Sequence, residues 1–210
     1  RTERKPPSPA AARGTCTPEA DGATTTTRLV RRLVKSLDDQ TLGVADVGDA
    51  LFASSELVIR GKTEFLSPAY YASMGFAVPA ALGAKLARPE LKVVALVGDG
   101  AFQRTGMELS TLVKHRLPVT VIVLDNGGYG TERLIHEGSF NDINPWQYQL
   151  LPQVLGGGTG FEARTEREFD SAITTALADD SGLRLIRVHI GTADPSLTLA
   201  RLGAGLAKIV

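Results

Sequence analysis

Two strongly apolar runs, Val93-Val94-Ala95-Leu96-Val97 and Val119-Thr120-Val121-Ile122-Val123-Leu124, each run into a short glycine-bearing polar segment. The first leads to Gly98-Asp99-Gly100 and the second to Asn126-Gly127-Gly128. Continuous runs of this kind, rich in β-branched residues, are strands covered on both faces. Between them, Gly106 to Lys114 places Leu109, Leu112 and Val113 on one helical face, and Pro118 stops the helix before the second strand. A strand, a helix and a strand joined by a right-handed crossover make a parallel pair. The chain is thereby confined to the α/β class, and its ligand is expected beyond the carboxyl ends of these strands.

The residues at those ends suit a hard divalent cation that itself clamps a diphosphate. Magnesium takes near-octahedral oxygen ligands, usually one or two carboxylates completed by phosphate oxygens and water. Asp99 offers a carboxylate, Asn126 a side-chain carbonyl and Gly128 a backbone carbonyl. Gly98 and Gly100 clear space around such an ion, and the amides opening the following helix favour phosphate. The competing reading of the same residues is two ordinary βα turns that bind nothing.

Taken together, Gly98-Asp99-Gly100 and Asn126-Gly127-Gly128 resemble the cofactor fingerprint of thiamine diphosphate enzymes. The resemblance covers about residues 25–205 and is to the C-terminal diphosphate-binding domain of the pyruvate decarboxylase-like branch. The narrower likeness is to indolepyruvate, phenylpyruvate and pyruvate decarboxylases. It is carried by Gly98-Asp99-Gly100-Ala101-Phe102-Gln103, Tyr71-Ala72-Ser73-Met74-Gly75-Phe76 and Phe140-Asn141-Asp142-Ile143. It implies a three-layer α/β/α fold on a central, mostly parallel sheet, with thiamine diphosphate and Mg2+ as cofactors and a small 2-keto acid as substrate.

Position by position, the resemblance assigns Asp99, Asn126 and Gly128 to the metal. Asp46-Val47-Gly48-Asp49 aligns with a cofactor-contacting loop, which makes Gly48 and Asp49 candidates. An acid at 49 departs from the hydroxyl residue of some relatives, and a bare carboxylate facing a diphosphate is repelled. Ala72 matches a position whose carbonyl meets the aminopyrimidine, and Met74 the bulky residue that props the cofactor in its bent form. Gly98, Gly100, Ala101, Tyr129, Gly130 and Thr131 complete the implied cofactor contacts. Thr131 stands where some relatives carry an apolar pocket residue. Glu132 matches a substrate-facing glutamate and is the catalytic candidate, able to steer loss of carbon dioxide or relay protons if burial raises its pKa. Its ordinary alternative is a solvated helix residue beside Arg133.

The family's activating glutamate and adjacent catalytic histidines lie on a separate pyrimidine-binding domain. Here His115, His136 and His189 are the only histidines, and none is adjacent to another. At 210 residues the chain suits one domain rather than the family's three. A cofactor-binding domain awaiting a pyrimidine-binding partner, and inactive without it, is therefore expected. Two alternatives stay open: the β subunit of a split decarboxylase, and a non-catalytic domain kept for oligomerisation or regulation. Homo-oligomerisation is expected because apolar faces near the cofactor would otherwise lie open.

Residues 1–27 are poor in large apolar side chains and punctuated by Pro6, Pro7, Pro9 and Pro18, which reads as a linker or disordered tail ahead of a domain at 28–210. The opening on Arg1 is in keeping with a piece of a longer protein. The lone Cys16 allows no internal disulfide and, with no secretory or membrane-spanning stretch, favours the cytoplasm. A formal net charge of zero gives no pull toward nucleic acid. Arg28, Arg31, Arg32 and Lys35 make a basic stripe on a helix around 27–37, most simply a solvated face. Further elements are expected as a strand at 42–47, a small-residue helix from Tyr70 to Ala87 kinked or started by Pro79, a helix at 166–178, a strand at 183–190 and a helix at 195–206. Gly156-Gly157-Gly158-Thr159-Gly160 lacks the lysine and following helix of a nucleotide loop and reads as a connection.

Overall fold

The computed structural model describes residues 21–58 and 64–206. Six strands form one sheet: β1 (Thr41–Ala45), β2 (Glu64–Leu66), β3 (Lys92–Gly98), β4 (Val119–Asp125), β5 (Thr159–Ala163) and β6 (Arg184–His189). Their order is β2-β1-β3-β4-β6-β5 and every neighbouring pair is parallel. The β3–β4 register runs from Val93 opposite Val119 to Gly98 opposite Leu124, so both motif-bearing ends finish side by side. The chain moves from β1 outward to β2 and then crosses back to β3. Strand order thus reverses between β1 and β3, the place where open sheets of this type leave a crevice.

The alternation of the central strands explains the three layers. Val93, Ala95, Val97, Val121 and Val123 face one side. There they pack under α3 (Ala77–Ala87), α4 (Asp99–Thr105) and α5 (Leu109–Lys114). Val94, Leu96, Ile122 and Leu124 face the other, under α1 (Thr26–Ser36), α2 (Asp49–Ser54) and α8 (Glu166–Ala178). Each fully buried Val, Leu or Ile contributes about 1.5–3 kcal/mol. In α3 the inward residues are Ala77, Val78, Ala81 and Ala84, so that helix lies close on the sheet. A reciprocal capping box between Thr165 and Glu168 starts α8. Two short helices, α6 (Gly130–Arg133) and α7 (Leu151–Val154), follow β4, and α9 (Leu197–Leu206) ends the described chain.

Several expected elements change shape. The helix expected from Tyr70 starts only at Ala77, with Pro79 in its first turn where a missing N–H costs nothing. Residues Tyr70 to Phe76 form turns instead, with Ala72 at φ 56° and Gly75 at φ 87°. The helix expected at 106–114 is a 3-10 turn, Gly106–Glu108, followed by α5. The second half of the glycine-rich 156–160 stretch opens edge strand β5 rather than serving wholly as a connection.

Of the expected tail, residues 1–20 with Cys16 lie outside the described residues. Gly22 to Thr26 are docked on the domain: Ala23 bridges Thr165, Gly22 accepts from the Glu166 amide, and Thr24 and Thr26 are buried. On α1, Arg28 and Arg32 of the basic stripe pair with Glu166 and Asp170 of α8. Among the described residues no helix is long and apolar enough to cross a membrane.

Candidate functional site

Asp99 follows the last residue of β3 and opens α4, with 1 % of its surface exposed. Its Oδ1 accepts from the Gly100 amide at 2.7 Å, and Oδ2 accepts from the amides of Gly127 at 2.7 Å and Gly128 at 3.1 Å. Burial pushes this carboxyl up to about 7, against the lowering pull of those three N–H groups, and the nearby Asp125 charge pushes the same way. Of the amides opening α4, expected to favour phosphate, that of Gly100 is therefore taken up by Asp99 itself. Two adjacent strand ends are stapled together through one carboxylate.

Asn126 and Gly128 turn back toward the same point. The terminal amide atom of Asn126 facing it lies 2.9 Å from the Gly128 carbonyl oxygen and 3.2 Å from Asp99 Oδ1. With nitrogen turned inward these are two hydrogen bonds. With oxygen turned inward three oxygens converge, an arrangement only a cation satisfies. Among the described residues no group of three or more His, Cys, Asp or Glu side chains is placed to hold a metal. The donor set here is one carboxylate, one amide oxygen and one carbonyl, which fits magnesium whose remaining ligands come from a diphosphate and water.

The Asn126–Gly128 loop is held from outside by a segment that enters the sequence reading only through the family likeness. Gly128 pairs with Asp142, and the Tyr129 amide donates to the Asn141 carbonyl at 2.9 Å. A Cβ on Gly128, at φ 149°, would collide with that same carbonyl. Asn141 is buried and donates to the His136 carbonyl, while Arg133 pairs with Asp142 and Glu137. Tyr129 lies against Gly100, where a Cβ would sit 2.6 Å from the ring, and its hydroxyl accepts from Arg104 at 2.7 Å.

Across the crevice the organising residue is Asp46, to which the sequence assigned no role. Its side chain is wholly buried just past β1 and accepts from the amides of Val47 (3.0 Å), Gly75 (3.1 Å) and Ala77 (2.7 Å). Burial raises its pKa, and those amides oppose the rise. One carboxylate thus starts α3 and fixes the turns that carry Ala72 and Met74 beside Gly48 and Asp49. An acid just past a strand's end and before a glycine was its only sequence signal.

All of the candidate metal, cofactor and catalytic residues line one cleft of about 390 Å³. Gly48, Asp49, Ala72 and Met74 form one wall, Gly98, Asp99, Gly100 and Ala101 the base, and Asn126, Gly128, Tyr129, Gly130, Thr131 and Glu132 the other wall. Glu132 is exposed at the rim, so this chain does not by itself bury it. Met74 is 42 % exposed, and Tyr70 and Tyr71 beside it are 101 % and 83 % exposed. The Thr131 hydroxyl and Asp49 Oδ1 are buried without hydrogen-bond partners. Asp49, Asp99 and Glu132 bring three carboxyl groups to the lining, and among the described residues no Lys, Arg or His lines it. Acidic groups in such a lining favour an anion that arrives together with a counter-charge.

Comparison with known proteins agrees with this geometry. Residues 46–188 match the family described as thiamine pyrophosphate enzyme, C-terminal TPP binding domain. A probable pyruvate decarboxylase of Schizosaccharomyces pombe, Pdc101, is 33% identical over 194 residues, covering 90% of this chain and 34% of the relative. The indole-3-pyruvate decarboxylase of Azospirillum brasilense is 33% identical over 183 residues, covering 87% and 33%. An alpha-keto-acid decarboxylase of Mycobacterium bovis is 33% identical over 175 residues, covering 81% and 30%. The chain spans about a third of the length of these curated relatives.

Proposed function

Because the chain belongs to the thiamine pyrophosphate enzymes, as their C-terminal TPP binding domain, we propose that it holds the diphosphate end of the cofactor and a magnesium ion for a non-oxidative 2-keto acid decarboxylase. The observation that carries this is the convergence of Asp99 Oδ1, the Asn126 amide and the Gly128 carbonyl in a cleft that no basic side chain lines among the described residues. An anionic cofactor enters such a cleft only with a cation, and these groups are where the cation has oxygen donors. When bound, thiamine diphosphate supplies the carbon nucleophile that adds to the keto carbon and takes up the electrons released with carbon dioxide.

The chain's own residues serve that chemistry in distinct ways. Asp99, Asn126 and Gly128 hold the metal, and Tyr129 closes over Gly100 beside it. Met74 and the Ala72 turn, pinned by Asp46, support the organic part of the cofactor from the other wall. Glu132 faces the substrate side, where a neighbouring domain completes its burial and lets it carry a proton at the carboxyl oxygen. The exposed Tyr70 and Tyr71 lie where a pyrimidine-binding domain would dock, from another part of the protein or from a second subunit in a homo-oligomer. The likeness to pyruvate, indole-3-pyruvate and alpha-keto-acid decarboxylases supports a 2-keto acid substrate of the pyruvate or arylpyruvate class, and the expected setting is the cytoplasm.

Calorimetric titration of the chain with thiamine diphosphate tests this reading. Saturable binding that requires magnesium and disappears in Asp99→Ala is the expected result. Binding of equal strength without magnesium, or unchanged in Asp99→Ala, overturns the metal assignment. Absence of binding under all these conditions favours the non-catalytic alternative.

A further inference from the structure

Arg187 is a charged residue in the middle of the buried strand β6, and it does not line the cleft. Leu185 packs on the α3 side of the sheet, whereas Ile186 and Val188 face α1 and α8, so strand alternation directs Arg187 to the α3 side as well. It is 6 % exposed, and an arginine buried to that extent is kept only by close partners. Its Nε donates to Asp125 Oδ2 at 2.7 Å. Its Nη1 donates to the side-chain oxygens of Gln147 at 3.0 Å and Gln149 at 3.3 Å, and lies 3.6 Å from a carboxylate oxygen of Glu162. The guanidinium carbon is 5.8 Å from the centre of the wholly buried Tyr148 ring.

These partners join the two supports of the Asn126–Gly128 loop. Asp125 is the last residue of β4 and immediately precedes Asn126. Its carbonyl accepts from the Ile190 amide at 3.0 Å, and His189 Nδ1 lies 3.6 Å from its Oδ2. The far side of the loop is held by Asn141 and Asp142, and the chain runs on from there to Gln147, at the start of the 3-10 turn Tyr148–Leu150. Gln103 secures the run between, donating to the Asn144 carbonyl at 2.7 Å and to the Tyr148 hydroxyl at 3.0 Å. A closed ring results, from Asp125 through the Asn126–Gly128 loop to Asp142 and Gln147, and back through the guanidinium to Asp125. An arginine suits this place because its rigid planar fork reaches in two directions at once, whereas an ammonium is a point charge on a flexible stem.

We propose that Arg187 is a positioning residue for the Asn126–Gly128 loop: by closing this ring it holds the Asn126 side chain and the Gly128 carbonyl where they meet Asp99. It acts through Asp125 on one side and the Gln147 turn on the other, away from the cleft. The metal side of this role rests on the magnesium reading of the cleft; the mechanical side does not. A loop released from its ring spends less time in the shape that brings its donors together, and metal sites whose outer supports are disturbed lose about ten- to hundredfold in affinity.

The test compares wild type with Arg187→Lys and with Arg184→Lys, a control at the other end of the same strand. Lysine keeps a charge beside Asp125 but cannot span to the glutamines at the same time. Arg184 is 2 % exposed and pairs with Asp179, so its replacement disturbs a buried arginine without touching the ring. The double variant Gln147→Ala with Gln149→Ala opens the ring from its far side and leaves the Arg187–Asp125 pair in place. Each protein is measured in two ways: hydrogen exchange without cofactor, and calorimetric titration with thiamine diphosphate and magnesium. The informative amides are those of Gly128, which donates to Asp99, and Tyr129, which donates to Asn141. In Arg187→Lys and in the glutamine double variant both amides should exchange at least about tenfold faster while those of β3 keep the wild-type rate, and magnesium-dependent binding should weaken about tenfold or more. Arg184→Lys should change neither. Wild-type exchange at Gly128 and Tyr129 in the ring variants overturns the proposal, as does equal acceleration in Arg184→Lys. Faster exchange with unchanged magnesium-dependent binding overturns it too, because the ring then does not set the metal donors. Absence of magnesium-dependent binding in the wild type instead overturns the cofactor reading and the metal role with it, while exchange at the two amides still decides whether Arg187 holds the loop.

Discussion

Asp46 Oδ2 accepts the Ala77 amide at 2.7 Å, joining the end of β1 to the first turn of α3 across thirty-one positions of sequence. The same carboxylate holds the amides of Val47 and Gly75. Everything on the Ala72–Met74 wall of the cleft hangs from this one buried group. Asp46→Asn replaces one acceptor oxygen with a donor that faces backbone N–H groups. It should cost about 1–3 kcal/mol of stability and weaken cofactor binding, whereas substitution of the exposed Asp39 should do neither. Urea denaturation and cofactor titration of the two variants check this.

The raised Asp99 pKa sets a pH dependence for the cofactor-free chain. Folded, the group titrates at about 7; its ordinary value is 3.8. The folded chain therefore retains a proton that the unfolded chain has lost, and the stabilisation is full below the ordinary value and gone once pH passes the folded one. Stability should fall as pH rises from about 4 to 7, by at most about 4 kcal/mol. Asp99→Asn should remove most of that slope, and saturating magnesium with thiamine diphosphate should oppose it. Denaturant melts along a pH series measure it; an unchanged slope in Asp99→Asn assigns the effect to other acids.

Gly128→Ala tests the prop beneath the loop proposed to hold the metal. The backbone at φ 149° and the collision with the Asn141 carbonyl both penalise a side chain. A stability loss of about 1–3 kcal/mol is expected, together with a tenfold or greater loss of magnesium-dependent binding, on the order of the loss when a metal site's supporting groups are disturbed. Wild-type binding by Gly128→Ala would show that the loop relaxes without moving its carbonyl.

Glu132 supports a prediction of opposite kind. Exposed at the rim, it carries little of the fold. Glu132→Gln should leave thermal stability within about 0.5 kcal/mol of wild type and cofactor affinity nearly unchanged, while slowing turnover of the complete enzyme by about a hundredfold or more. Normal turnover at saturation combined with lost cofactor affinity would make Glu132 a binding residue instead.

The central architecture was legible because β3 and β4 are buried on both faces and so appear as unbroken apolar runs. The residues at their ends then fell into place at the cleft. β5 was not legible: Thr159-Gly160-Phe161-Glu162-Ala163 is an edge strand with little apolar content, and its glycines read as a loop. The turns at 70–76 are continuous in sequence with the small-residue helix α3 and carry no proline that separates them from it, and the deciding interaction is a carboxylate from a distant strand end. Asp46 and Asn141 act by accepting or positioning backbone groups far along the chain, which leaves no local pattern to read. The Asp99 staple was likewise invisible, since its amide donors come from the other strand's glycines.

Among the described residues no basic side chain lines the cleft, which on the proposed reading makes the site discriminating in an unusual order. A pocket built on lysines or arginines binds any phosphate ester of suitable size. On the proposed reading this one would disfavour bare anions, inorganic phosphate among them, because its described lining brings carboxyl groups and no basic side chain. On the magnesium–diphosphate reading proposed above, admission would depend on the ion that travels with the ligand, and the supply of divalent metal, before the supply of vitamin, would set how much of this protein is loaded.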